Sequence, residues 1–171
     1  MKFLNAPRLA MAAMAASLAV SAPAYAGDGT AVPTTLPAAP ADMGQVIFWR
    51  PGTMVGGAMG CGVNQGTERI SALGAGKYFI VNLTPGTHSF NARSEARDEL
   101  TLEVEPGETY YVRCTIRMGI MVGRPNLAPS TAEEFNTRRE NLKYVDSDDV
   151  GPRVLPDPGA TAAAAPAAAA G

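Results

Sequence analysis

Short apolar stretches that alternate with polar residues fill the middle of the chain, and glycine or proline separates one stretch from the next. The clearest example runs from Glu99 to Glu105, where Leu100, Leu102 and Val104 occupy every second position. This two-residue period is typical of a β-strand with one buried face. Seven segments have strand character: residues 45–50, 61–64, 69–72, 77–82, 87–93, 99–105 and 109–117.

The turns between these segments decide the fold class. Pro51-Gly52, Pro85-Gly86 and Pro106-Gly107 each follow a predicted strand, and such dipeptides favour reversal of the chain. No long amphipathic helix is predicted between the strands, which argues against a parallel sheet with crossover helices. We therefore expect a mostly β protein, an antiparallel β-sandwich of about seven strands with a short C-terminal α-helix.

The last predicted strand, residues 109–117, has two distinct faces. One face carries Tyr110, Val112, Cys114 and Ile116, and the other carries Tyr111, Arg113, Thr115 and Arg117. Because successive side chains of a strand point to opposite sides, we expect the first face to lie in the core and the second to face outward.

The C-terminal helix is predicted from its caps and its apolar spacing. Ser130 and Thr131 each precede a glutamate by three positions, which is the pattern of a capping box. Ala132, Phe135 and Leu142 then fall on one stripe of the helix. We expect this stripe to pack against a sheet.

Residues 1–26 have the pattern of a secretory signal peptide. Lys2 and Arg8 precede a short apolar run, and Ala24-Tyr25-Ala26 supplies a cleavage motif with small residues at its ends. An uncleaved membrane anchor is the alternative, but a membrane span needs about 20 apolar residues. We expect a mature chain that begins at Gly27, has no transmembrane segment and is periplasmic or secreted.

Composition divides the mature chain into three parts. Residues 27–43 are rich in proline and alanine, and residues 146–171 are first acidic and then rich in alanine and proline. Neither part has the period of a strand or a helix, so we expect a linker and a disordered tail. Residues 44–145 remain as one β-sandwich domain.

The charge of the chain and its few histidine and cysteine residues exclude several classes of function. The sequence has 14 Lys and Arg against 16 Asp and Glu, a net charge of −2. Loss of Lys2 and Arg8 with the signal peptide makes the charge −4, which gives no basic field for nucleic-acid phosphates. One His and two Cys are too few for a zinc site built by the protein. We expect no metal, no cofactor and no nucleic-acid partner.

Cys61 and Cys114 each share the buried phase of a predicted strand. In an exported protein without a third cysteine, this placement favours a structural disulfide. Two buried free thiols are one alternative. A redox or metal role is another, although redox pairs are typically Cys-x-x-Cys near the start of a helix.

His88 is the single histidine, and a catalytic site based on an imidazole would have to use it. Glu95, Asp98 and Glu99 follow within a few residues, so a small periplasmic hydrolase or redox enzyme assembled around His88 is the alternative function. The sequence has no Gly-x-Ser-x-Gly elbow, however. We interpret His88 as a hydrogen-bonded structural residue and expect no catalytic residues.

An apolar stretch follows the last predicted strand. Met118, Ile120, Met121 and Val122 lie there, separated by glycine, and we name them the interaction strip. Exposed apolar surface of this kind would contact a partner or a membrane surface. Burial beneath the C-terminal helix is the alternative.

Six short motifs stand in a characteristic order along the predicted domain. They are Val46-Ile47-Phe48-Trp49-Arg50-Pro51, Gly76-Lys77-Tyr78-Phe79, Pro85-Gly86-Thr87-His88, Gly107-Glu108-Thr109-Tyr110-Tyr111-Val112-Arg113, Met118-Gly119 and Gly123-Arg124-Pro125. In this order they resemble the bacterial exported-protein family known as domain of unknown function 2846, over about residues 44–145. The resemblance implies an envelope β-sandwich and no catalytic residue. The chain departs from the lipoprotein members because it lacks their lipid-bearing N-terminal cysteine.

Taken together, these features predict an exported, non-catalytic, envelope-associated β-sandwich module with a binding or structural accessory role. An envelope protein or a cell-wall component is the expected partner. The sequence leaves the ligand and the oligomeric state open.

Overall fold

Strands make up about half of the residues that the structure describes. The computed structural model describes residues 36–54, 57–93, 97–118 and 123–160. The predictions for residues 1–26, for half of the linker and for residues 161–171 of the tail therefore lie outside the described residues. The strands are β1 (Gly44–Trp49), β2 (Cys61–Gln65), β3 (Glu68–Leu73), β4 (Lys77–Leu83), β5 (Gly86–Arg93), β6 (Arg97–Val104), β7 (Thr109–Met118), β8 (Gly123–Ser130) and β9 (Lys143–Tyr144). Helix α1 (Ala132–Arg138) and a 3₁₀ turn (Arg139–Asn141) separate β8 from β9. All seven predicted strands are present, and β8 and β9 are additional.

The strands form two sheets. The five-stranded sheet has the order β8-β7-β1-β4-β9, and the four-stranded sheet has the order β3-β2-β5-β6. Pairing is mostly antiparallel, as predicted, but β1 pairs with β7 and β4 pairs with β9 in parallel. The turn at Pro106-Gly107, where Gly107 has a φ of 76°, carries the chain from one sheet to the other. Because β6 and β7 therefore do not form a hairpin, β7 comes to lie beside β1.

The main core lies between the two sheets. The predicted inner face of β7 is confirmed, since Val112 and Cys114 are fully buried and Tyr110 and Ile116 pack partly against the core. The alternation along β6 is confirmed in the same way, with Leu100 and Val104 buried and Leu102 partly buried. Phe48, Phe79 and Phe90 fill the centre of this core, and the ring centroids of Phe48 lie 5.1 Å and 5.0 Å from those of the other two.

A second apolar layer covers the outer face of the five-stranded sheet. Its buried members are Ile47, Trp49, Tyr78, Ile80, Phe135 and Leu142. Thr131 caps α1 by accepting a hydrogen bond from the Glu134 amide at 3.1 Å, so of the two predicted caps it is Thr131 that functions. Phe135 packs on the sheet as predicted. The predicted helical stripe is otherwise wrong, because α1 ends at Arg138: Leu142 joins the layer from beyond the 3₁₀ turn, and Ala132 is exposed. Among the described helices, none is long and apolar enough to cross a membrane.

The folded region extends beyond residue 145, where the sequence analysis placed the domain boundary. Residues 146–155, here called the C-terminal strap, contact one strand of each sheet. Val150 bridges to Ser71 in β3, and Val154 bridges to Val81 in β4. The Leu155 amide donates to the carbonyl oxygen of Ile80 at 2.8 Å. Part of the predicted tail thus belongs to the domain, because its few apolar residues find backbone and side-chain partners at the side of the sandwich.

Ion pairs and close backbone contact hold the strap in place. Three ion pairs link it to β3 and β4: Lys77 to Asp146 at 2.7 Å, Arg69 to Asp149 at 3.4 Å, and Arg153 to Glu68 at 3.4 Å. Gly151 lies so close to β3 that a Cβ there would clash with the carbonyl oxygen of Ile70. The strap therefore closes one side of the sandwich.

Candidate functional site

A disulfide joins the two sheets through the core. Cys61 in β2 and Cys114 in β7 are bonded, with an S–S distance of 2.04 Å, and both residues are fully buried. The predicted disulfide is confirmed, and both cysteines are used in it. In the chain-entropy model, closing a loop over this separation of 53 residues stabilises the fold by roughly 4 kcal/mol. The disulfide is therefore a structural cross-link between the two sheets.

Both ring nitrogens of His88 are hydrogen-bonded within the protein. Nε2 lies 2.8 Å from the Thr84 carbonyl oxygen, and Nδ1 lies 2.8 Å from Nε2 of Gln65. Because a carbonyl oxygen can only accept, Nε2 carries the hydrogen and Nδ1 accepts from the amide of Gln65. The half-buried imidazole also stacks on Phe90. His88 is thus a hydrogen-bonded structural residue at the end of the sandwich.

The acidic residues considered with His88 are not assembled around it. His88 lies opposite Leu102 in the β5–β6 pairing, whereas Glu99 lies opposite Asn91, three positions further along β5. At more than 3 Å per strand residue, Glu99 is about 10 Å away from His88 along the sheet. Asp98 is one pair further still, and Glu95 lies outside the described residues.

A cleft opens between α1 and the outer face of the five-stranded sheet. Its volume is about 270 Å³, and its lining residues are Trp49, Arg113, Glu133, Glu134, Thr137 and Arg138. Trp49 and Arg113 lie directly opposite each other in the parallel β1–β7 pairing. The indole Nε1 donates to Oγ of Ser130 at 2.8 Å, which fixes the ring at the edge of the cleft.

The cleft carries charges of both signs. Arg113 Nη1 lies 3.5 Å from Glu134 Oε1, and both side chains are more than one-third exposed, so this ion pair is weak. The Nε atom of Arg113 is buried and has no hydrogen-bond partner among the described residues. The cleft thus presents a partly exposed guanidinium beside a partly exposed carboxylate. The sequence analysis did not single out Trp49 or Arg113, because a parallel pairing between distant strands brings them together.

Burial also shifts the pKa values of the tyrosines in the aromatic layer beside the cleft. Desolvation, the largest cause, raises the pKa of Tyr144 to about 12 and raises the pKa values of Tyr78 and Tyr111. Phe135 packs against these rings, with centroids 5.6 Å from Tyr78 and 5.5 Å from Tyr111. The tyrosines are therefore protonated packing residues at neutral pH.

Arg50 is a fully buried charged residue that orders two loops. Its guanidinium donates to the carbonyl oxygen of Met59 and, at 3.2 Å, to that of Leu73. Burial lowers the pKa of Arg50. The side chain thereby ties the loop after β1 to the end of β3.

The interaction strip can be placed only in part. The backbone of Met118 pairs with Gly123 at the end of the β7–β8 hairpin, and Ile120, Met121 and Val122 lie outside the described residues. The strip therefore stays a prediction. Within the described ranges, no group of three or more His, Cys, Asp or Glu residues is arranged to hold a metal ion.

Comparison with known proteins places the chain in a family. No curated protein and no solved structure matches it. One family does match, over a region that spans β1 to β7 and the start of β8. This region carries the inter-sheet disulfide and both strands of the β1–β7 pairing. Residues 40–125 match the family described as Protein of unknown function (DUF2846), and the chain belongs to that family.

Proposed function

We propose that the protein is an exported, non-catalytic module of the cell envelope with a binding or structural accessory role. The observation that carries this proposal is the buried Cys61–Cys114 disulfide that joins the two sheets. Disulfides persist in oxidising compartments such as the periplasm or the cell exterior and are rare in the bacterial cytosol. The signal-peptide pattern of residues 1–26 supports the same location.

The state of His88 supports a non-catalytic role. A general base needs a nitrogen lone pair directed at substrate, but both nitrogens of His88 are occupied by Gln65 and Thr84. A hydrolase or redox enzyme assembled around His88 is the competing function. Such an enzyme would require these hydrogen bonds to break. It would also require the Glu99 side chain to reach His88, although Glu99 lies three residues along β6 from Leu102, the partner of His88.

The cleft beside α1 is the place where we expect a binding role to reside. Trp49 is buried and forms a fixed wall of the cleft, while the guanidinium of Arg113 and the carboxylate of Glu134 are partly exposed there. A polar group of an envelope protein or of a cell-wall component fits this combination. Such a site would bind its partner through non-covalent contacts and would catalyse no reaction.

Cell fractionation tests the location. Bacteria would express either the full chain or a control chain that lacks residues 1–26, both with the same C-terminal tag. We expect the full chain in the periplasmic or secreted fraction and the control in the cytosol. Recovery of the full chain in the cytosol, at its uncleaved mass, would overturn the proposal.

A further inference from the structure

Two arginines face each other at the end of the β7–β8 hairpin. Arg117 of β7 and Arg124 of β8 are direct partners in the antiparallel register, and both are exposed. They lie on the outward face of β7 that also carries Arg113 and Thr115, because Cys114 and Ile116 occupy the inner face. Two guanidinium groups thus project from neighbouring positions of one surface.

This arrangement opposes folding. Like charges directly opposite each other on paired strands are destabilising. Four cations among the described residues have a carboxylate within ion-pair distance: Arg69, Lys77, Arg113 and Arg153. For Arg117 and Arg124, the described part of the chain supplies no carboxylate within ion-pair distance. The residues that join the two strands, Gly-Ile-Met-Val in sequence, contain no acid either. The pair is therefore an uncompensated positive site on a chain of net charge −2.

We propose that Arg117 and Arg124 form the surface by which the module contacts the anionic phosphate headgroups of a membrane. This inference rests on the proposed envelope function and names the partner. A basic side chain close to an anionic lipid surface is attracted to the phosphate charges of the headgroups. The pair is open to solvent on a sheet face, which suits an extended charged surface. On a chain of net negative charge, a local positive site also orients the protein toward anionic lipid.

Vesicle cosedimentation tests the contact. The protein would be purified from cells that express the full chain, and mixed at low ionic strength with vesicles of phosphatidylglycerol and phosphatidylcholine or of phosphatidylcholine alone. Each basic residue near an anionic surface strengthens binding about fivefold. We expect R117Q/R124Q to bind the anionic vesicles about thirtyfold more weakly than the wild type.

Two further variants identify the source of the binding. R117K/R124K keeps the charge and is expected to retain binding, because attraction to a lipid surface does not require the guanidinium fork. R69Q/K143Q removes two charges elsewhere on the exposed surface and is expected to bind like the wild type. Wild-type binding that is absent, or that R69Q/K143Q weakens as much as R117Q/R124Q does, would overturn the inference.

Inorganic phosphate provides the competing outcome. Saturable binding of phosphate by the wild type, lost in R117K/R124K, would assign the pair to a discrete phosphate site and overturn the lipid contact. Urea unfolding shows whether the variants fold, and R117Q/R124Q is expected to unfold at the same or a higher urea concentration, because the opposed charges are removed. A lower midpoint would contradict the argument that the pair opposes folding.

The two proposals fail in different ways. An exported, oxidised protein that ignores anionic vesicles would overturn the lipid contact and leave the proposed function standing. A protein that stays in the cytosol but binds anionic vesicles through Arg117 and Arg124 would overturn the proposed function alone.

Discussion

The hydroxyl of Tyr144 donates a hydrogen bond to the carbonyl oxygen of Leu155 at 2.6 Å. The hydroxyl oxygen of Tyr144 in turn accepts a hydrogen bond from the Ile80 amide at 3.3 Å. One side chain therefore joins β9, the C-terminal strap and β4. Burial, the largest cause, raises the Tyr144 pKa to about 12, so the hydroxyl keeps its proton and stays a donor over the neutral range.

Replacement of Tyr144 by phenylalanine removes this donor. We expect Tyr144→Phe to lower the free energy of unfolding by about 1–3 kcal/mol, because the Leu155 carbonyl and the Ile80 amide each lose a partner. Urea denaturation measures the loss. Tyr110→Phe is the matched control, since the Tyr110 hydroxyl accepts from the exposed Glu105 amide at 3.0 Å and its loss should be smaller. Equal losses in the two variants would contradict a special role for Tyr144.

Truncation tests the strap as a whole. A chain that ends at residue 145 loses the bridges of Val150 and Val154 and three ion pairs. We expect it to unfold at a lower urea concentration than the full chain. A chain that ends at residue 160 keeps all described contacts and should behave like the full chain. If both truncated chains unfold like the full chain, the strap does not stabilise the domain.

Stability should decline at alkaline pH. In the unfolded chain, tyrosine ionises near its ordinary pKa of 10.0, whereas folded Tyr144 holds its proton up to a pKa of about 12. Between these values the folded state binds more protons than the unfolded state, so the free energy of unfolding falls as pH rises. Tyr78 and Tyr111 act in the same direction, since burial raises their pKa values too. Urea titrations across this range measure the decline.

The Tyr144→Phe variant is the control for this pH dependence. We expect it to lose stability less steeply between pH 10.0 and about 12 than the wild type does, because one titrating hydroxyl is absent. A stability that rises with pH in this range, or an unchanged slope in the variant, would show that the Tyr144 proton is not linked to folding.

Gln45 offers a stabilising substitution. It is 1% exposed, and neither its Oε1 nor its Nε2 has a hydrogen-bond partner among the described residues. Because a buried unpartnered polar group costs about 1–3 kcal/mol, we expect Gln45→Met, which keeps a similar shape, to raise the free energy of unfolding. Gln65→Met is the matched control and should lower it, since Gln65 donates to His88 at 2.8 Å. A destabilised Gln45→Met variant would indicate an ordered water that serves this amide.

The main core and the disulfide could be predicted because a strand has two faces. Alternation along residues 99–105 and 109–117 was enough to place Leu100, Val104 and Val112 inside. The same period placed Cys61 and Cys114 on inner faces, and the disulfide followed from that placement.

The outer layer and the cleft depend on pairings that no local pattern encodes. Trp49 meets Arg113 because β1 and β7 run parallel after the chain changes sheets. One signal was available: the run from Val46 to Trp49 is apolar without alternation, which is typical of a strand buried on both faces. The strap was missed because Val154 and Leu155 stand among proline and charged residues, and their burial depends on tertiary contacts with β4.

The central claim, an exported module held together by a buried disulfide, is tested most directly by the intact mass of the protein recovered from cells that express the full chain. We expect one species that begins at Gly27, lacks two hydrogens relative to the reduced chain, and yields a peptide pair joined through Cys61 and Cys114. A species that keeps residues 1–26 and carries two reduced thiols would contradict the claim.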